Sequence, residues 1–214
     1  MSTFEAAVES LPGRIARKVR TALGPAAIFL KGFAKHPEMV GAIAPSSRRT
    51  IKRVLAPVDW NACEVFVEYG PGVGTFCRPV LDRLRRDGKL IVIDTNPDFI
   101  AYLEATISDP RFRAVHASAT EVGAIVAAHG HDHADYVLSG LPFSSLPPGV
   151  GRSIMDATRQ ILRPGGAFLV YQYTTRARRL MQLYFPRVDE GFEFFNLPPC
   201  VISWGWKTQT PGGC

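Results

Sequence analysis

The stretch that decides the fold runs from residue 65 to residue 75 and reads VFVEYGPGVGT. Its first five residues are mostly β-branched or aromatic, which is typical of a buried strand. The three glycines that follow predict a tight turn, because glycine adopts positive φ without steric cost. A helical pattern comes next, with Val80, Leu81 and Leu84 on one face. Strand, glycine turn and helix in this order predict the start of a βαβ unit.

The same alternation of apolar runs and helical stretches continues along the chain. Strands are predicted at 64–69, 89–94, 112–116, 135–139 and 167–173, with helices between them at 76–86, 97–107, 120–129 and 152–162. Helices between continuous apolar strands indicate parallel pairing by right-handed crossovers. The aromatic tail at 192–207 could add antiparallel edge strands. We therefore predict a doubly wound α/β domain at 56–214, preceded by a helical segment at 1–55.

Composition excludes several classes of protein. The 214 residues are 46% hydrophobic and 21% charged, unlike a disordered or fibrous chain. No apolar run reaches the roughly 18 residues of a membrane-spanning helix, and the N-terminus has no apolar core of a secretory signal. The four cysteines lack metal-ligand spacing, so we expect no disulfide framework, no metal site and a reducing cytoplasm.

Positive charge is concentrated at the N-terminus. Residues 1–53 carry ten Lys and Arg against three Glu, whereas the net charge of the whole chain is +6. Such asymmetry predicts an anionic partner, either a nucleic acid or a lipid surface. Apolar residues recur at helical spacing from Ile15 to Leu23, beside a basic set. That set is Arg14, Arg17, Lys18 and Arg20.

Two interpretations of this basic amphipathic helix stay open. It could lie in an anionic leaflet, or it could cover the sheet with a solvated charged face. A nucleic acid could bind to the same positive charge, but residues 5–28 contain no aromatic side chain on which bases could stack. We therefore expect a membrane surface as the partner.

The glycine loop reads E-x-G-x-G-x-G from Glu68 to Gly74. A dinucleotide fingerprint would need glycine at position 75, where this chain has threonine. The pattern resembles motif I of class I S-adenosylmethionine-dependent methyltransferases. The resemblance implies that Asp94, at the end of the second strand, binds the ribose hydroxyls. The cofactor residues expected from it are Glu68, Tyr69, Gly70, Gly72, Gly74, Asp94, Thr95, Ser118, Ala119 and Ser139. Ser118 could instead cap the following helix.

The loop after the fourth predicted strand is where the methyl acceptor sits in this fold. It reads Ser139-Gly140-Leu141-Pro142-Phe143. Adenine-N6 methyltransferases carry N-[LP]-P-[YF] there, and only the Leu-Pro-Phe part matches. An amine acceptor therefore remains expected, while a flipped base is disfavoured.

The wider resemblance, over residues 28–206, is to bacterial phospholipid N-methyltransferases. The matching segments are FLK at 29–31, VGAIAPSS at 40–47, the glycine loop, DTNPDF at 94–99, SGLP at 139–142 and NLPP at 196–199. The resemblance implies the seven-stranded methyltransferase sheet. It also implies methylation of phosphatidylethanolamine towards phosphatidylcholine, by a peripheral enzyme at the inner face of the bacterial cytoplasmic membrane.

The acceptor site implied by this resemblance involves two groups of residues. Ser139, Gly140, Leu141 and Tyr173 are expected near the reacting amine. Substrate binding is expected from Phe143, Arg176, Arg178, Arg179 and Trp204, with aromatic faces for a cationic headgroup and arginines for the lipid phosphate. The aromatic residues could equally be core, and the arginines could be a solvated helix face. The alternative function is an RNA or DNA adenine-N6 methyltransferase, and a non-catalytic membrane-binding module comes third.

Overall fold

The computed structural model describes residues 47–194 and 199–208. Strands are β1 Val65–Tyr69, β2 Lys89–Asp94, β3 Phe112–His116, β4 Ala134–Ser139, β5 Leu162–Gln172, β6 Arg187–Glu193 and β7 Cys200–Trp206. Helices are α1 Arg48–Val54, α2 Cys77–Leu81, α3 Pro97–Thr106, α4 Val122–Ala128, α5 Val150–Ile161 and α6 Arg176–Met181. A short 3-10 helix, Ala119–Glu121, precedes α4.

The strands form one seven-stranded sheet in the order β3-β2-β1-β4-β5-β7-β6. Neighbours from β3 to β5 pair in parallel, whereas β7 pairs antiparallel to both β5 and β6. The chain reverses strand order between β1 and β4, and such a switch point is where ligands bind in doubly wound sheets. The predicted mostly parallel sheet with antiparallel strands from the tail is confirmed.

Helices cover both faces of the sheet, which explains why the central strands are apolar on both sides. Phe66 and Leu138 belong to the core under α1, α2 and α3. Val67 and Val137, their neighbours along the same strands, belong to the core under α4, α5 and α6. Because successive strand residues point to opposite faces, each central strand contributes to both cores.

The largest differences from the predicted elements lie at their ends. Strand β5 begins at Leu162, five residues before the predicted start, because Leu162 already pairs with Ala134 of β4. Residues 163–166 form an irregularity in this pairing, in which Gly165 has a φ of 76°. A Cβ on Gly166 would lie 2.6 Å from the Asp135 carbonyl oxygen, so only glycine permits this close approach. The predicted start of α3 is confirmed, since the Asn96 side chain accepts a hydrogen bond from the Asp98 N–H ahead of Pro97.

Helix α1 packs against the same core as the sheet. The Ser47 side chain caps it, and Ile51 and Val54 are buried against the strands. Arg49 and Arg53 form ion pairs with Glu193 at the end of β6, at 3.5 and 3.9 Å. These contacts place the start of α1 at the edge of the sheet where the parallel strands end.

The predicted basic helix, with Arg14, Arg17, Lys18 and Arg20, lies outside the described residues. So do the matching segments at 29–31 and 40–46 and most of the NLPP segment. Within the described part of the chain, no helix has the length and apolar character needed to cross a membrane.

Candidate active site

The glycine loop after β1 has the conformation that its sequence predicts. Gly70, Gly72 and Gly74 have φ values of 62°, 54° and 79°, a region that side chains with a Cβ rarely adopt. A Cβ on Gly74 would lie 2.6 Å from Leu103 Cδ2 of α3, so the loop packs tightly against that helix. A Cβ on Gly72 would meet no heavy atom within 4 Å, so the backbone there borders open space. The loop therefore offers a ligand direct access to its backbone.

Asp94 ends β2 beside this loop and is 9% exposed. Its Oδ1 accepts a hydrogen bond from the Asn96 N–H at 2.9 Å. Backbone N–H groups of Gly72 and Thr95 also lower its pKa, but the loss of solvent outweighs them and the pKa is raised overall. The carboxyl thus joins the glycine loop to the start of α3, at the position where the methyltransferase resemblance implies a ribose-binding acid.

Glu68 is the second buried carboxyl of this region, at the end of β1 and 2% exposed. Burial raises its pKa to about 8, and the negative charge of Asp94 adds to the effect. The Cys77 thiol donates a weak hydrogen bond to Glu68 Oε2 at 3.6 Å. A cation bound beside these two carboxyls would lower both pKa values, because opposite charge stabilises the ionised form.

Tyr69 and Thr95, also predicted to bind the cofactor, help to hold the loops of the site in place. The Tyr69 ring points into the core under α5, where its hydroxyl lies 3.1 Å from Thr158 Oγ1. The Tyr69 carbonyl accepts a hydrogen bond from Gly140 N–H at 3.0 Å. This bond joins the glycine loop to residues 139–143 after β4, which we call the acceptor loop. Thr95 is exposed just beyond β2, and its carbonyl lies 3.0 Å from His116 Nε2.

Ser118 caps the 3-10 helix, one of its two predicted roles. Its Oγ accepts from the Thr120 N–H at 3.2 Å, while Glu121 accepts from the Ser118 N–H at 3.0 Å. The two bonds form a capping box. Ala119 is buried in the core against α4.

Ser139 is fully buried and shapes the acceptor loop. Its Oγ accepts a hydrogen bond from the Leu141 N–H at 3.2 Å. A Cβ on Gly140 would lie 3.0 Å from both the Gly70 carbonyl oxygen and the Tyr171 hydroxyl. An asparagine could not occupy this position unless its neighbours moved, so the departure from the adenine-N6 motif has a steric basis.

A cavity of about 90 Å³, open to solvent, lies at the ends of β4, β5 and β7. It is lined by Gly140, Leu141, Pro142, Ser144, Ser145, Tyr171, Gln172, Tyr173, Thr174 and Cys200. Among these described residues there is no Asp, Glu, Lys, Arg or His. The cavity is therefore uncharged and mostly apolar, and it begins where the acceptor loop meets the glycine loop.

The structure brings some of the predicted acceptor residues together and separates others. Gly140, Leu141 and Tyr173 line the cavity, while Ser139 lies behind them. Phe143 is only 4% exposed and packs in the core, with its ring 6.5 Å from that of Phe168. The ring is therefore core rather than part of an aromatic cage, which corrects the expectation for Phe143.

Trp204 also differs from the expectation of a cage. Its indole N–H donates to the Val54 carbonyl at 2.9 Å, which ties the end of α1 to β7. A Cβ on Gly191 would lie 2.8 Å from the Trp204 ring, so this ring packs closely against β6. The side chain joins elements at the sheet edge and is absent from the lining of the described cavity.

The three predicted phosphate-binding arginines lie on α6, which begins four residues after β5. Arg178 forms an ion pair with Glu190 of β6 at 2.6 Å. Arg176 and Arg179 are exposed. The structure thus leaves two of the three guanidinium groups facing solvent at or near the ligand edge.

Gln172, Ser144, Ser145, Thr174 and Cys200 are cavity residues that the sequence interpretation missed. Gln172 had a recognisable signal, because it is a polar residue at the carboxyl end of an otherwise apolar strand. Cys200 had none, since its position depends on how β7 returns beside β5.

Known proteins resemble this chain in both sequence and fold. An ornithine lipid N-methyltransferase from Singulisphaera acidiphila is 30% identical over 174 residues, which cover 80% of this chain and 91% of that protein. The chain belongs to the bacterial lipid N-methyltransferases. No model of a known protein family matches it. A ribosomal RNA small subunit methyltransferase H from Methylibium petroleiphilum matches locally, at 35% identity over 83 residues and 26% of its length.

A solved structure shows the same fold as this lipid N-methyltransferase. It is a 1,6-didemethyltoxoflavin-N1-methyltransferase from Burkholderia thailandensis with bound 1,6-didemethyltoxoflavin and S-adenosylhomocysteine. The TM-score is 0.61 at 16% identity, over 88% of this chain and 89% of that one. S-adenosylmethionine is the cofactor of this class. The open backbone at Gly72 and the buried acids Glu68 and Asp94 fit its cationic amino-acid part and its ribose.

Proposed function

We propose that this protein transfers methyl groups from S-adenosylmethionine to the amine of an aminolipid headgroup, in particular that of phosphatidylethanolamine, towards phosphatidylcholine. The observation that carries the proposal is the uncharged cavity directly beside the cofactor loop. The relative named above, an ornithine lipid N-methyltransferase, supports an aminolipid as the substrate class.

The chain's own residues divide the work between the two ends of the site. The loop from Gly70 to Gly74 and the carboxyls of Glu68 and Asp94 would hold the cofactor. When bound, S-adenosylmethionine supplies an electrophilic methyl group on its sulfonium. Gly140 keeps the acceptor loop close to the glycine loop, because any side chain there would separate them.

The uncharged cavity addresses the main chemical obstacle of the reaction. An alkylamine has a pKa of roughly 10, so most of it is protonated at neutral pH and has no free lone pair. A mostly apolar cavity removes part of the water around the ammonium group and offers no carboxylate in its place, which lowers the amine pKa. Ser144, Ser145 and Thr174 are exposed at this cavity, so the proton can leave to solvent.

The lipid phosphate would bind outside the cavity. Arg176 begins α6 shortly after β5 ends, and Arg179 follows one turn later. Both side chains are exposed, so they can reach a phosphate at the membrane surface. Arg178 is engaged by Glu190 and is the weaker candidate.

Docking at the inner face of the cytoplasmic membrane is part of this proposal. Phe192 and Phe194 are 38% and 72% exposed, and their rings lie 4.4 Å apart. Glu193, between them in β6, lies opposite the cavity residue Cys200 of β7 in the sheet. The two rings therefore lie at the ligand edge of the sheet. Helix α1 also begins at this edge, and Arg48 and Arg49 in its first turn are exposed. Exposed aromatic rings and basic residues at one edge suit an anionic leaflet.

Incubation with labelled S-adenosylmethionine tests the reaction. Liposomes containing phosphatidylethanolamine or an ornithine lipid are compared with RNA. We expect label in phosphatidylethanolamine. Label in the ornithine lipid alone would correct the substrate. Label in RNA alone would favour the alternative function, an RNA methyltransferase, which the local match to a ribosomal RNA methyltransferase supports.

Sedimentation with anionic liposomes tests the docking. Phe194→Ser should weaken binding several-fold. Leu183→Ser is the matched control, because Leu183 is 73% exposed but lies before β6, towards the opposite edge of the sheet. Equal loss in both variants would contradict docking through this edge.

Charge in the N-terminal segment gives a second test of docking. Glutamate at positions 14, 17, 18 and 20 together, in place of Arg14, Arg17, Lys18 and Arg20, should abolish binding to anionic liposomes and keep cofactor affinity. Added salt should also reduce binding, because it screens surface charge over roughly 10 Å. If the charge-reversed protein still sediments with the liposomes, this segment does not dock the enzyme.

A further inference from the structure

Gln172 is the last residue of β5 and lines the cavity between Tyr171 and Tyr173. It is only 9% exposed. Its Nε2 donates a hydrogen bond to the Leu141 carbonyl of the acceptor loop. This bond fixes the orientation of the amide, because a flipped amide would bring two oxygens together.

The oxygen of the Gln172 amide lacks a hydrogen bond to any described residue. Gln172 Oε1 is buried and has no hydrogen-bond partner within the described part of the chain. Buried polar atoms in proteins are nearly always paired, and an unpaired acceptor in a binding cavity calls for a donor from the ligand. The hydroxyl and thiol groups that line the cavity form no hydrogen bond with this oxygen, so a donor that enters with the substrate can supply the missing bond.

We propose that Gln172 Oε1 accepts a hydrogen bond from an N–H of the acceptor amine and orients that amine for methyl transfer. This inference rests on the proposed function. An amide oxygen suits the task better than a carboxylate, because it accepts a hydrogen bond but stabilises the ammonium form much less than a negative charge would. The nitrogen lone pair then stays free for the methyl group.

The role of such an acceptor depends on how many N–H groups the amine still has. A neutral primary amine has two, a secondary amine has one and a neutral tertiary amine has none. Gln172 should therefore assist the first two methylations and have no direct effect on a third. A residue that only supports the loop would affect all substrates alike.

The test compares Gln172→Met with the wild type on phosphatidylethanolamine and on its monomethyl and dimethyl forms. Methionine has a similar length but neither donates nor accepts a strong hydrogen bond. We expect kcat/KM to fall about tenfold for the primary and secondary amines. The value for the dimethyl form should change less than about threefold. If the wild type does not methylate that form, its Ki as a competitor replaces kcat/KM.

Two further measurements separate substrate contact from loop support. Phosphatidylcholine has no N–H, so its Ki should be the same for both proteins. The Kd of S-adenosylmethionine, from calorimetry, should also be unchanged. Equal losses on all three amines together with a weaker cofactor Kd would overturn the inference, because the oxygen would then serve the loop or the cofactor.

Gln172→Glu gives an independent answer if the methionine variant does not fold. It keeps an oxygen at the same place and adds a negative charge, which should raise the pKa of a contacting amine. The pH at half-maximal rate should therefore move upward, and an unchanged pH profile would contradict contact. A wild type that methylates none of these lipids would instead refute the proposed function.

Discussion

The two halves of the site lie side by side at one edge of the sheet but differ in charge. The half formed by the ends of β1 and β2 contains two buried carboxyls, Glu68 and Asp94, and burial raises the pKa of both. The half formed by the ends of β4 and β5 encloses a cavity that no charged side chain lines, among the residues that the structure describes. Gly70 and Gly140 mark the boundary, where the two loops touch.

This difference corresponds to the charges of the two ligands of the proposed reaction. The cofactor carries positive charge, so nearby carboxyls favour its binding. The acceptor must lose a positive charge before it can react, so carboxyls near it would hinder the reaction. The reaction therefore requires that the acids lie apart from the acceptor. Changes of charge in the cofactor half and in the acceptor half should have different effects.

Removal of charge from the cofactor half should have the largest effect. Asp94→Asn keeps the volume of the side chain but removes the charge that strengthens hydrogen bonds to the ribose hydroxyls. The Kd of S-adenosylmethionine, from calorimetry, should rise about tenfold to a hundredfold. Asp132→Asn, at an exposed turn, is the control and should leave Kd unchanged. An unchanged Kd in Asp94→Asn would remove Asp94 from the cofactor site.

Addition of charge to the acceptor half should have the next largest effect. Thr174→Asp places a carboxylate at the cavity and stabilises the ammonium form of the acceptor. The kcat/KM for the aminolipid at neutral pH should fall about tenfold, and the loss should shrink as the pH is raised. Thr174→Asn has a similar shape without the charge. A pH-independent loss in both variants would show a steric effect instead.

The cofactor half was predictable because its residues are local in the chain. Glu68 to Gly74 are consecutive, and Asp94 ends the next strand, so the resemblance to motif I of class I methyltransferases could be recognised within one short stretch. The acceptor cavity combines Gly140, Gln172 and Cys200, which the sheet brings together from distant segments. No spacing in the sequence relates them.

The roles of two aromatic residues also could not be predicted from the sequence. Phe143 and Trp204 could have been either a cage or core on sequence grounds. The outcome depended on Phe168 and on the carbonyl of Val54, which these rings contact in the fold. Tertiary packing decides such cases, and residue type does not.

Glu68 allows a test of how its charge changes with pH. The folded-state pKa is about 8, against 4.5 for an unperturbed carboxyl, so the unfolded chain ionises first. Stability should therefore be greatest near the lower value and fall as the pH rises towards the higher one. Glu68→Gln should remove this fall and be more stable than the wild type at pH 8, as measured by urea unfolding.

Cofactor binding should act on the same carboxyl. A cation beside Glu68 lowers its pKa, so binding at neutral pH should release protons. Calorimetry in buffers with different ionisation enthalpies measures this release, and Glu68→Gln should reduce it. Equal proton release in both proteins would place the cation away from Glu68.

Ser118 should show the smallest effect, and it tests how far the cofactor half extends towards β3. Its hydroxyl accepts from the Thr120 N–H, so Ser118→Ala should cost about 1 kcal/mol of stability through the lost cap. If capping is its whole role, the Kd of S-adenosylmethionine should stay within about twofold, since no bond to the adenine is removed. Ser153→Ala, near the start of α5, is a control for loss of a hydroxyl elsewhere. A rise in Kd well beyond twofold in Ser118→Ala alone would extend the cofactor site to the end of β3 and give the serine both roles.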